Sequence, residues 1–264
     1  MAYSTITLEQ DDGIATLTLN RPDRLNAWNN QLGFDVAEAC GVVREDPDVR
    51  VLVITGAGRA FSAGGDMAWF EEGIEKGEWY GPGLFVTGAL EELVGAVSSV
   101  PQPLVASING PAVGAGATLA VLCDLRIASE EAFIQFPFVH LGVVPENGVT
   151  YALARLVGLA RASDLLLTGR RIGAEEAESI GLVNRIAPAS GLAEATRTLA
   201  GSLASAAPLA VQMTKKGLHQ GLDTDLLTQV RYESAALDVL FRTEDHAEAI
   251  EAFREKRPPR FQGR

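Results

Sequence analysis

Val51-Leu52-Val53-Ile54-Thr55-Gly56-Ala57-Gly58-Arg59-Ala60-Phe61-Ser62-Ala63-Gly64-Gly65-Asp66 runs from an apolar strand through a string of small residues into the start of a helix, which reaches Phe70. The same order returns downstream. Pro103-Leu104-Val105-Ala106-Ser107-Ile108 is a second short apolar strand, and Asn109-Gly110-Pro111-Ala112-Val113-Gly114-Ala115-Gly116-Ala117 leads from it into a helix ending at Leu122. Small residues let a ligand approach the main chain, and N–H groups at a helix start lack partners within the helix and favour negative charge. Taken singly, each stretch reads better as a tight turn. As a pair they can form an oxyanion hole.

Outward from these segments the pattern is α/β. Ile6 to Gln10, a turn at Asp11-Asp12-Gly13, and Ile14 to Leu19 alternate with period two, as a hairpin does. Leu32, Phe34, Val36, Ala39, Cys40 and Val43 recur at helical spacing between Asn29 and Glu45, and Asp46-Pro47 stops the helix. Val49 to Thr55 and Asp124 to Ala128 read as buried strands. Short strands alternating with helices imply crossovers and a mixed or parallel sheet with helices outside it. From Tyr151 onward the spacing predicts only helices, the last over Ala247 to Phe253. Gly73 to Gly83, mixing Glu75, Lys76 and Glu78 with glycines and Pro82, reads as a mobile loop.

The chain has 264 residues, enough for one large α/β domain with its own core and no need of disulfides. Its two cysteines, Cys40 and Cys123, are distant in sequence and apolar in surroundings, and read as buried thiols rather than metal ligands. A formal net charge of -12 disfavours nucleic acid and anionic membranes as partners. Met1 to Glu9 does not read as a leader, and no run of about 18 apolar residues occurs. A soluble cytoplasmic protein is expected. Leu119 and Phe61 stand where a dinucleotide fingerprint needs its third glycine, and there is no Walker motif.

Several blocks in register resemble the crotonase (enoyl-CoA hydratase/isomerase) superfamily over nearly the whole chain. They are Leu19-Asn20-Arg21-Pro22 with Leu25-Asn26-Ala27, Ala60 to Asp66, Asn109 to Gly116, Cys123-Asp124, and Thr168-Gly169 with Ala177 and Gly181-Leu182-Val183. The resemblance implies a spiral of ββα units in a core over residues 1–200, which carries an acyl-CoA site, and a helical region over 201–264 that builds trimers or hexamers. It implies no cofactor and no metal, coenzyme A being part of the substrate. It places the oxyanion donors at the N–H groups of Ala63 and Ala115, each worth about 3–4 kcal/mol in the transition state. Ala27, Gly64, Asp66, Met67 and Phe138 would line the substrate, and Asp66 would hold its loop by accepting backbone N–H bonds. Because coenzyme A is itself anionic, an acidic chain needs local cations for it. Arg21, Arg24, Arg254, Lys256 and Arg257 are candidates, with Arg24 and Lys256 preferred, in some family members across a subunit boundary.

Hydratases of this superfamily carry two glutamates, and Thr118 and Phe138 stand in their places. Neither can exchange a proton with water as a general acid or base. Phe136 to Gly148 instead resembles the loop of the 3-enoyl-CoA to 2-enoyl-CoA isomerases, which puts the proton-shuttling carboxylate at Glu146, with Phe138, Leu141 and Val144 as apolar neighbours that raise its pKa. Other reactions that use an oxyanion hole, namely hydration, hydrolysis, dehalogenation and carbon–carbon cleavage, stay open, as does a silent acyl-CoA binder. His140 reads as a packed or orienting residue.

Overall fold

The computed structural model describes residues 3–77 and 89–264. Strands β1 (Ile6–Asp11) and β2 (Ile14–Leu19) form the expected hairpin. Its two turn residues, Asp12 and Gly13, both have positive φ, at 46° and 76°, the geometry that matches strand twist in a two-residue turn. Helix α1 (Asn30–Glu45) opens on Asn29, whose side chain accepts a bond from the Leu32 N–H. Strand β3 (Val51–Gly56) follows, then α2 (Met67–Lys76), α3 (Ala89–Ser99), β4 (Leu104–Ile108), β5 (Ala112–Val113) and α4 (Ala115–Leu122). Next come β6 (Leu125–Ser129), β7 (Phe133–Gln135), α5 (Val149–Val157), α6 (Leu159–Thr168), β8 (Arg171–Gly173), α7 (Ala174–Ser179) and β9 (Arg185–Ala187). Helices α8 (Leu192–Ala204), α9 (Pro208–Gly221), α10 (Leu226–Leu240) and α11 (Glu244–Glu255) complete the chain.

Two sheets organise these elements. The larger has the order β1-β2-β3-β4-β6-β9 and is parallel except for the first hairpin; the smaller has the order β5-β7-β8. Each spiral turn sends the chain from the large sheet to the small one and then into a helix: β4-β5-α4, then β6-β7-α5. The turn that starts at β3 keeps a rudiment of this step, a single parallel bridge between Ser62 and Ala112. This is the ββα spiral that the sequence implies.

Both faces of β3 and β4 are covered, so the strands are apolar throughout rather than alternating. On one side lies a large core that includes Leu32, Val36, Leu52, Ile54, Phe61 and Phe136. On the other, Val51, Val53, Val105 and Ile127 pack on Leu192, Leu199 and Ala200 of α8. The expected boundary after residue 200 falls inside α8, and the chain leaves that helix at 205–207. Residues Ala115 to Val121 of α4 are all buried, so this helix needs no polar face. Its C-terminal carbonyls are clasped by the buried Arg126, whose guanidinium donates to Cys123 O and Leu182 O.

Three expectations need correction. The chain after Tyr151 is not wholly helical, because β8 and β9 are three-residue strands whose partners lie far back in sequence. Helix α3 is missing from the elements expected above although Leu90, Leu93, Val94 and Val97 recur at helical spacing, and strand β7, three residues long, is too short for a period. Within the stretch read as a loop, Gly73 to Lys76 form the last turn of α2, closed by Gly77 in the left-handed region at φ 63°; residues 78–83 lie outside the described residues.

Cys40 and Cys123 are buried as expected, and burial pushes both thiols up to about 12. Neither should react with iodoacetamide at neutral pH while the chain is folded. Mass spectrometry should find both labelled only after denaturation, and fast labelling of either in the native protein would contradict this burial.

Candidate active site

The site is built where three loops meet at the C-terminal ends of β2, β3 and β4. Asn26 sits at the junction, fully buried and left-handed at φ 55°. Its Oδ1 accepts from the Arg21 N–H at 2.8 Å, and its Nδ2 donates to Ala57 O and Ala60 O at 2.9 and 2.8 Å. Its own carbonyl accepts the Ser62 hydroxyl at 2.8 Å. One amide side chain thus ties the loop after β2 to the loop after β3.

From there residues 62–66 are sewn on both sides. Ser62 N–H donates to Pro111 O and Val113 N–H to Ser62 O, at 3.0 and 2.9 Å. Trp28 N–H donates to Gly64 O and Asp66 N–H to Trp28 O, at 2.6 and 2.9 Å. Ala63 N–H donates to Leu25 O at 2.9 Å. This bond corrects the expectation for Ala63, since a donor already held by a carbonyl is not available to an incoming oxyanion. Gly64 N–H makes a long contact, 3.4 Å, to Ser62 Oγ. Gly65 N–H has no acceptor among the described residues, and it is the free donor of this loop.

In the second segment the start of α4 is left open. Gly114 N–H is taken by Gln135 O, and the first N–H bonded back along α4 is that of Thr118, to Gly114 O at 2.9 Å. The N–H groups of Ala115, Gly116 and Ala117 therefore remain at the open end of a buried helix. The two loops touch through glycines: a Cβ on Gly64 would lie 3.0 Å from Val113 O, and one on Gly116 would lie 2.4 Å from Ser62 Cβ. Gly65 and Ala115 thus flank one seam, each with a free main-chain donor.

Asp66 caps α2 by accepting from Ala68 N–H at 3.2 Å and pairs with Arg21 at 2.8 Å. Burial would raise its carboxyl pKa, but the Arg21 guanidinium, with help from Ala68 N–H and Arg24, holds it below the ordinary value. Asp66 and Arg21 thus hold the loop, and the Arg21 guanidinium also donates to Ala27 O. Arg24 is exposed, and its side chain has no hydrogen bond or ion pair among the described residues. Met67 is exposed at the first position of α2. Arg257 is engaged by Glu248 and Glu255. Lys256, the left-handed C-cap of α11, has no bond to the site loops, and the tail beyond it is pinned at Phe261 O by Arg50, at the opposite end of β3. The structure brings Ala27, Gly64, Asp66, Met67 and Ala115 together and leaves Lys256 elsewhere in the same chain.

Strand β7 is parallel to β5, and it delivers the chain to Phe138, which is buried. His140 in the following turn packs on Gly169. Thr118 is buried with its hydroxyl turned back to Gly114 O, so it offers no proton-transfer group. Glu146 closes the loop ahead of α5. Its carboxylate has no hydrogen-bond or ion-pair partner among the described residues, and burial pushes its pKa up. That burial does not come from Val144 or Leu141, which are 76% and 52% exposed.

A raised carboxyl pKa means that the folded state binds this proton more tightly than the unfolded chain does. Its contribution to stability is then full below the unfolded pKa and is lost as pH rises through the folded one. Glu146→Gln should therefore melt higher than the parent at neutral pH, with the gap closing in acid. Thermal melts at both pH values test this, and an equal gap at both would refute it.

Gly65 and Ala115 present two free main-chain donors on one seam, an arrangement able to hold an oxyanion, and Glu146, in the loop ahead of α5, is a lone carboxylate of raised pKa. The comparisons give the class of protein. The model of the family described as Enoyl-CoA hydratase/isomerase matches residues 9–264. The crotonyl-CoA hydratase of Syntrophomonas wolfei is 37% identical over 265 residues, covering 99% of each chain. The short-chain-enoyl-CoA hydratase of Clostridium acetobutylicum is 35% identical over 259 residues, covering 97% of each. The crystal structure of enoyl-CoA hydratase from Bacillus anthracis superposes with a TM-score of 0.89 at 32% identity, covering 99% of this chain and 100% of that one. The chain belongs to the enoyl-CoA hydratase/isomerase family of the crotonase superfamily.

Sequence reasoning missed Gly65 and the central role of Asn26. Gly65 had a signal in the Gly64-Gly65 pair, but only the pairing of each N–H identifies the free donor. Asn26 lay within a recognised block, without a sign that its amide joins two loops.

Proposed function

We propose that the protein shifts the double bond of a 3-enoyl-CoA to give the 2-enoyl-CoA. The observation that carries this reading is Glu146, an unpartnered carboxylate of raised pKa, in a site where Thr118 and Phe138 supply no second acid or base. The thioester oxygen accepts from Gly65 and Ala115 N–H. Glu146 removes a C2 proton, and the electrons pass into the thioester as a dienolate held by the two donors. The same carboxylic acid then protonates C4, leaving C2=C3 and restoring the carbonyl. A single group suffices because both carbons flank C3.

Coenzyme A meets Arg24 and the Ala27 region, with Lys256 supplied by another subunit. No helix among the described residues is long and apolar enough to cross a membrane. Helix α10 buries none of its residues in the single chain, and Leu218, Leu226, Leu227, Leu237, Phe241 and Phe253 are exposed on α9 to α11. Such a surface supports a trimer, or a hexamer of paired trimers, assembled through this region.

Hydration is the second reading, favoured by the names of the two relatives. Incubation with a 3-enoyl-CoA in deuterated buffer separates them. Isomerisation gives a conjugated thioester of unchanged mass apart from deuterium, whereas hydration of a 2-enoyl-CoA adds water. No conversion of the 3-enoyl substrate would refute the proposal.

A further inference from the structure

The reading above puts the thioester oxygen on Gly65 N–H, and the next feature rests on it. An ideal Cβ at Gly65 would lie 2.2 Å from Phe70 Cε2 and 2.6 Å from its Cζ. The Phe70 ring therefore fills the volume that a side chain at position 65 would take, and the two residues are a matched pair. Phe70 N–H is fixed to Asp66 O at 3.0 Å in the first turn of α2, and the neighbouring Trp69 ring is tilted by 50° with centroids 5.3 Å apart. Phe70 is half-buried.

An oxyanion bonded to Gly65 N–H lies about 2.9 Å from that nitrogen, which leaves C2 of the acyl group only about 5 Å away. The ring, held against Gly65 Cα, bounds the same space. We infer that Phe70 determines specificity in this site: it walls the acyl pocket at C2, admits thioesters unbranched at that carbon and rejects those with a methyl branch there. An aromatic ring packed in this way yields poorly to an added methyl group, whereas a truncated side chain opens room for one.

Saturated thioesters test this by binding alone, whichever reaction the site performs. Calorimetry should show butanoyl-CoA bound about tenfold or more tightly than 2-methylbutanoyl-CoA by the parent protein, and within about threefold of it by Phe70→Ala. Gly65→Ala should weaken both ligands by crowding the ring, and Phe70→Ala added to it should recover the loss. Should Phe70→Ala not fold, Phe70→Leu carries the same ratio. A ratio that is equal in parent and variant, with binding retained, overturns the role of Phe70 alone. Binding of neither thioester overturns the acyl-CoA reading and this inference with it.

Discussion

Glu146→Gln is expected to slow isomerisation of a 3-enoyl-CoA by about 10²–10⁴-fold while leaving thioester affinity within about twofold. Glutamine keeps the shape of the side chain but cannot take up the C2 proton. The donors at Gly65 and Ala115 are main-chain groups and are unchanged by the substitution, so the ground state is still gripped. The loss should therefore appear in kcat and in single-turnover rate rather than in Kd. Since burial raises the pKa of this carboxyl, the parent's rate should fall as pH drops through a value above the ordinary glutamate range. The variant should show no such limb. A variant with parental kcat would remove Glu146 from the mechanism.

Asn26→Ala should be the most damaging substitution outside the proton-transfer step. It strips the part-buried Arg21 N–H and Ala57 carbonyl and the buried Ala60 carbonyl of these partners, and it places alanine at a left-handed φ of 55°. A cost of about 3–4 kcal/mol is expected, or a fall in melting temperature of roughly 10 °C for a chain of this size. Activity should drop even where the variant is folded, because the bonds it loses set the relation between the loop after β2 and the Gly65 loop. Asn26→Gly separates the two causes: it relieves the backbone but not the lost amide bonds. If Asn26→Gly matched the parent in stability, the amide would be unimportant.

The strands and helices that bury a regular face were legible from the residues. The hairpin, α1, β3, β4 and α4 all announce themselves by period, by an all-apolar run or by their turn residues. Strands β8 and β9 did not, because three residues are too few for a period and their stability comes from partners at β7 and β6. The site was half legible. Glycine-rich turns marked the seam, and Ala115 has the free N–H expected of it. Ala63 was misassigned because its donor is consumed by Leu25 O, a bond between loops 38 positions apart that no local pattern encodes. The environment of Glu146 was foreseen in direction and in cause, which is burial, but of the three apolar neighbours expected to supply it Val144 and Leu141 face outward in the single chain and Phe138 alone is buried.

The two donors proposed for the enolate belong to the main chain, and this bears on how such a site can change over generations. Any non-proline residue that fits at positions 65 and 115 still presents an N–H there, so at both the constraint is space rather than chemistry. Drift in side chains therefore cannot easily erase the capacity to hold an enolate. The proton-transfer groups, by contrast, are ordinary side chains on separate loops, free to be exchanged singly. A lineage built this way can lose one acid, recruit another and pass between reactions while the fold and the enolate site persist.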